Sequence, residues 1–147
     1  MKMDAVNLAI IKHLRDGRKS FKTIAEELGL TENTVRARVK KLTDEKVLDI
    51  SGLVDPAAIQ GHKMVIVGEK LQNMDLVKKG EEFSRLRGVV SVSVVTGRFD
   101  LILLVLLNEE FDLLEFYTEE VARLKDVVSV ETFVVYKGYN LKVPYIV

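Results

Sequence analysis

A segment of eight residues in the second half of the chain occurs twice, with six of its positions identical. RLRGVVSV at Arg85–Val92 returns as RLKDVVSV at Arg123–Val130, a shift of 38 residues. In both copies a helical spacing of apolar residues precedes the match and a valine-rich strand pattern follows it. Leu76, Phe83 and Leu86 line a helix expected over about Asp75 to Arg87. Leu114, Tyr117, Val121 and Leu124, spaced three, four and three, line a second over about Phe111 to Lys125. Runs at His62–Gln72 and Phe99–Leu107 add two more strands. The order βαββαβ follows, a ferredoxin-like split unit in which an antiparallel four-stranded sheet carries both helices on one face.

A sheet covered on one side alternates apolar with polar residues, yet LILLVLL at Leu101–Leu107 does not. Its second face must also be dry. The expected cause is that the uncovered faces of two subunits pack together as a dimer; the competing reading is an apolar core strand of a monomer. Between these strands, Thr96-Gly97-Arg98-Phe99-Asp100 reads as a hairpin turn, Gly97 being free to take positive φ. Read as a site, its bare backbone amides suit the carboxylate of a small zwitterion and Asp100 suits its ammonium.

The first third has a different grammar. Ser20 stands where an N-cap belongs, and Phe21, Ile24, Ala25 and Leu28 form the apolar stripe of a helix from about Phe21 to Leu28. Gly29 follows at the usual left-handed helix end, and Thr31 caps a second helix, about Glu32 to Glu45, with Glu32 complementing its dipole. At about 100° per residue, Val35, Val39 and Leu42 fall within roughly 60° and make the buried seam. Asn33, Arg36, Ala37 and Lys40 project from the other side, flanked by Thr34, Arg38 and Lys41. A small residue for close approach, an amide and a guanidinium for base edges, and ammoniums for phosphates are what a helix in a major groove needs. A solvated helix face is the bland alternative, and the preceding helix, the glycine turn and the two caps weigh against it.

Asp4 caps a third helix, about Ala5 to Arg15, whose Val6, Ile10 and Leu14 share a face. Asp16-Gly17-Arg18-Lys19 then turns the chain and brings Arg18 and Lys19 near phosphate. VLDISGLVD after Lys46 carries a weak hairpin signal, so the expectation is an α+β chain: a winged helix-turn-helix over residues 1–54, a linker over 55–61 around Asp55-Pro56, and the ferredoxin-like domain over 62–147. Overall charge is zero, but residues 1–50 hold 11 Lys/Arg against 8 Asp/Glu, and residues 51–147 hold 11 against 14. The basic half is the half with the helix-turn-helix. With no cysteine there is no thiolate nucleophile, disulfide or cysteine metal site; His13 and His62 form no ligand motif, so no metal and no cofactor is expected. The longest apolar run is seven residues, against the roughly 18 needed to span a bilayer. The chain therefore reads as cytoplasmic.

TIAEELGLTENTVRARVKKLTDEKVL resembles the helix-turn-helix of the Lrp/AsnC (feast/famine) transcriptional regulators of bacteria and archaea, and TGRFDLILLV and VVSVETFVVYKG resemble their C-terminal effector and oligomerisation (RAM) domain. The likeness runs from Asp4 to about Gly138. It implies double-stranded DNA as partner, dimers through the sheets that often build tetramers or octamers, and small effectors, usually amino acids. These effectors would bind near Gly97, Phe99 and Asp100, with Thr96, Arg98 and Thr132 beside them. His62 stands where an aromatic is common, and Arg98 where a small or acidic residue is common, a cation that favours an acidic ligand. Tyr139–Val147 lies outside the likeness and reads as an added edge strand or an oligomer contact. A non-specific architectural DNA-binding module and an enzyme like the sirohaem decarboxylases that resemble this family are the competing functions; the second needs histidines and arginines lining a large polycarboxylate pocket.

Overall fold

The computed structural model describes residues 3–147 and divides into two compact units, Met1–Ser51 and Gly52–Val147. In the first, three helices form: α1 (Ala5–His13), α2 (Phe21–Leu28) and α3 (Glu32–Asp44). Each begins at the cap its sequence offers. Asp4 accepts from the Asn7 amide at 2.7 Å, Ser20 from Thr23 at 3.1 Å and Thr31 from Thr34 at 3.2 Å. Gly29 ends α2 at φ 65°, where a side chain would be strained. Ile10, Ile24, Ala25, Val35 and Val39 are the core, with Val6, Leu14, Phe21, Leu28 and Leu30 packed around it.

The hairpin wing expected after α3 does not form. Only β1 (Leu53–Val54) is extended, and it pairs antiparallel with β6 (Val143–Pro144) at the far end of the sequence, Leu53 opposite Pro144 and Val54 opposite Val143. The strand therefore belongs to the second unit, and the first unit ends at Ser51, ahead of the expected 1–54 boundary. Ser51-Gly52 supplied turn residues without a second local strand to return to.

The second unit holds β2 (Lys63–Leu71), α4 (Leu76–Ser84), β3 (Val89–Val94), β4 (Leu101–Leu107), an irregular helix α5, and β5 (Val127–Val134). The sheet order β3-β4-β2-β5 with antiparallel neighbours is the ferredoxin-like arrangement expected. Its helix-facing side is filled by Val65, Val67, Leu101, Leu103, Val105, Phe83, Phe116 and Val121. α5 departs from the expected regular helix: one α turn (Leu113–Glu115), a π turn (Phe116–Glu120), then a 3₁₀ turn (Val121–Arg123). The wider turn shifts the buried stripe, so Phe116 is buried and Leu114, expected inside, is 69% exposed.

On the opposite side of the sheet, Met64 and Leu106 are buried under Leu141, Val143 and Val147 of the C-terminal segment. The same face continues through Ile66, Leu104 and Ile102, half-buried, to Phe133, which is exposed. The second face of LILLVLL is thus dry at one end through the chain's own tail. Among the described residues no helix is long and apolar enough to cross a membrane.

Candidate nucleic-acid interface and effector turn

The buried seam of α3 is Val35, Val39 and Leu42, as the helical spacing requires, and this fixes what points outward. Asn33, Arg36, Ala37, Lys40 and Lys41 are exposed. Arg36 is hydrogen-bonded to Glu32 at 2.6 Å and lies 5.3 Å from the centre of the Phe21 ring, with 59% of its side chain exposed. Lys40 pairs with Asp44 at 2.5 Å and Lys41 with Glu45 at 4.0 Å. Exposed pairs four residues apart contribute about 0.3–0.5 kcal/mol each, so a phosphate or a guanine edge displaces the carboxylate at small cost.

Two of the expected phosphate contacts are held inside the unit. Arg38 reaches back to α1, donating to Asp4 at 2.7 Å and to Asn7 at 2.9 Å. That hydrogen bond, with the Asn7 amide, holds the Asp4 carboxyl below its ordinary range. Lys19 donates to Glu27 at 2.6 Å and lies 2.9 Å from His13 Nδ1, which holds the Glu27 carboxyl down as well. Thr34 is half-buried, its hydroxyl 2.8 Å from that of Thr31. Arg18 is exposed.

The turn between β3 and β4 is built differently from the zwitterion cradle read from sequence. Asp100 is buried: its Oδ2 accepts from the Leu71 amide at 2.8 Å and its Oδ1 from Lys70 Nζ at 3.0 Å. These two contacts, the amide first, hold its carboxyl below the ordinary range. Asp100 thus stitches the turn to the end of β2. Phe99 lies over Gly68, where an added Cβ would come within 2.7 Å of the ring, and meets Phe133 edge to face at 6.4 Å. Arg98 spans to Glu131 at 2.9 Å and lies 5.5 Å from the Phe99 ring centre. Gly97 takes φ 123° beside exposed Thr96. Thr132 is on the other side of the sheet, 2.5 Å from the Tyr117 hydroxyl of α5. The expected effector residues are therefore divided: Thr96 to Phe99 keep company with Glu131 and Phe133, while Thr132 faces the helices. Lys70 and Glu131 join the turn through cross-strand pairing, which alternation alone did not single out.

Residues 3–43 match the AsnC-type helix-turn-helix domain, and residues 64–142 match the Lrp/AsnC ligand binding domain. The chain belongs to the Lrp/AsnC family. It is a helix-turn-helix transcriptional regulator, and the two matched segments fall one in each compact unit. A relative of similar length is the HTH-type transcriptional regulator Ptr1 of Methanocaldococcus jannaschii, 26% identical over 140 residues that cover 94% of this chain and 95% of that one. The solved structure of PH0061 has a TM-score of 0.79 at 23% identity, covering 97% of this chain and 98% of that one. A second similar fold is that of the transcriptional regulator NMB0573 from Neisseria meningitidis, solved as its L-Met complex, with a TM-score of 0.67, 17% identity and 92% and 91% coverage.

Proposed function

We propose that this Lrp/AsnC regulator reads its operator with the exposed side of α3, Asn33, Arg36, Ala37 and Lys40 touching base edges while Lys41 and Arg18 hold phosphates. The observation that carries the reading is the division of α3 into a buried apolar seam and an opposite face whose cations are held by weak exposed ion pairs and, at Arg36, by the Phe21 ring. Arg38, Lys19 and Thr34 then act mainly through the fold: Arg38 locks α3 to α1, Lys19 locks the turn to α2, and Thr34 supports the cap. A selection from random duplexes tests this. It should enrich one pseudo-palindromic pair of half-sites, because a dimer presents two copies of α3; enrichment of no sequence would make the chain an architectural binder instead.

Dimerisation is proposed through the part of the sheet left open by the tail, around Ile66, Ile102, Leu104 and Phe133. A small amino acid is the proposed effector, by likeness to the ligand binding domain and to the neighbour solved with L-Met. Thr96, Gly97, Arg98 and Phe99 supply its walls. The ammonium partner is better sought in Glu131 than in Asp100, whose carboxylate already serves Leu71 and Lys70. The decarboxylase reading would call on two histidines that lie in separate units. His13 is engaged by Lys19 and Glu27 in one unit, and His62 by Gln60 and Tyr145 in the other.

A further inference from the structure

On the outward face of α3, Arg36 is held from two sides. Its Nη2 donates to Glu32 Oε1 at 2.6 Å, and its guanidinium carbon lies 5.3 Å from the centre of the Phe21 ring on α2. We propose that these two neighbours make Arg36 select a base edge over a phosphate, Phe21 by fixing the guanidinium and Glu32 by its charge. This rests on the reading of α3 as the base-contacting helix.

Both neighbours are themselves fixed by the fold. Phe21 opens α2 behind the Ser20 cap, which accepts from the Thr23 amide at 3.1 Å, and its half-buried ring packs against the core around Ile24 and Val35. Glu32 opens α3 behind the Thr31 cap. It stands one helical turn before Arg36, the order in which a carboxylate and a cation on one helix attract best. Lys40 and Asp44 pair in the reverse order. A guanidinium laid against a ring and bonded at one nitrogen explores fewer rotamers than a free one, so less freedom is lost when it docks.

Charge then decides what docks. A guanidinium carries five N–H donors. Glu32 meets it at Nη2, and 59% of the side chain stays exposed, so donors remain for a two-point contact. A guanine edge offers O6 and N7 as acceptors without net charge. A phosphate instead brings a full negative charge up to the Glu32 carboxylate, and the two repel. Non-specific binding is carried by phosphates. The carboxylate therefore penalises random DNA more than the operator. Phe21 is a positioning residue in this scheme, acting through Arg36.

The test is binding of the full chain to the selected operator and to a random duplex at one low salt concentration, in the parent and in Arg36→Ala. Glu32→Gln should raise affinity for random DNA about fivefold and for the operator less than about twofold, so discrimination falls. In the Arg36→Ala background both affinities should rise by the same factor. Phe21→Leu, which keeps an apolar packing body, should weaken operator binding about threefold, leave random DNA unchanged, and add nothing once Arg36 is gone. Phe21→Tyr, which keeps the ring, should bind the operator like the parent. An unchanged ratio of operator to random affinity in Glu32→Gln, or a Phe21→Leu loss of equal size with and without Arg36, would overturn the proposal. If Arg36→Ala itself costs nothing on the operator, the reading of α3 falls as well; if it costs and the ratio ignores Phe21 and Glu32, only their roles fall.

Discussion

Gly88 and Asp126 occupy the same place in the two copies of the repeat, and both are left-handed, at φ 79° and 74°. The duplicated turn into a strand demands that conformation, and each copy meets the demand in its own way. At Gly88 a Cβ would sit 2.7 Å from the Leu106 carbonyl and 2.8 Å from the Phe111 ring. Gly88→Ala should cost about 2 kcal/mol or more, combining backbone strain with the clash, and lower the urea midpoint accordingly. Asp126 tolerates the same φ while its carboxylate takes Lys79 at 3.1 Å, so Asp126→Ala should lose that ion pair and keep the strain. Glu69 is the second residue out of pattern. It is fully buried, paired across the sheet with Leu101 and Val130, neither of its oxygens has a hydrogen-bond partner among the described residues, and burial pushes its carboxyl up to about 8 from an ordinary 4.5. Between those values the folded chain keeps a proton that the unfolded chain has lost. Its contribution to stability is therefore greatest below about pH 4.5 and is lost as pH rises, at up to about 1.4 kcal/mol per unit, levelling off above about 8. Glu69→Gln removes this titration, so urea unfolding of variant and parent should diverge between pH 5 and 8; a difference flat with pH would contradict it.

Elements governed by neighbours in sequence were legible. Asp4, Ser20 and Thr31 announced three helix starts, Gly29 one stop, and the Val35, Val39 and Leu42 spacing set the orientation of α3 before any coordinate did. Thr31→Ala should accordingly cost about 1 kcal/mol in thermal unfolding by leaving the Thr34 amide unpaired. What stayed hidden depends on distant segments or on a change of helical pitch. β1 looked like half a hairpin because its partner, β6, lies some ninety residues on. α5 read as a regular helix because Leu114, Tyr117, Val121 and Leu124 keep three-and-four spacing, whereas the π turn shifts the phase of the residues before it, so Leu113 and Phe116 take the inward side in place of Leu114. In the candidate sites, sequence found the outward face of α3 but not that Arg38 is committed to Asp4 and Asn7. It found the turn at Gly97 but not that Asp100 is spent on Lys70 and the Leu71 amide, since those partners come from β2.

At the level of the whole molecule the apolar LILLVLL run has two covers. The tail takes the Met64 and Leu106 end, and the open end is the proposed subunit contact. Leu104→Asp should then shift the chain toward monomer in sedimentation equilibrium while leaving helix content unchanged. An unaltered assembly would move the contact elsewhere. Lys41→Ala should weaken every duplex alike and lower the salt slope by about 1, since a phosphate contact carries no sequence information. The measurement that bears most directly on the regulator reading is the affinity of parent and Arg36→Ala for the selected operator and for random DNA, at one fixed salt concentration. A guanidinium on a base edge should cost about 1–3 kcal/mol on the operator, five- to 150-fold, and leave random DNA nearly unchanged. Equal operator affinity in parent and variant would mean that the outward face of α3 does not read sequence.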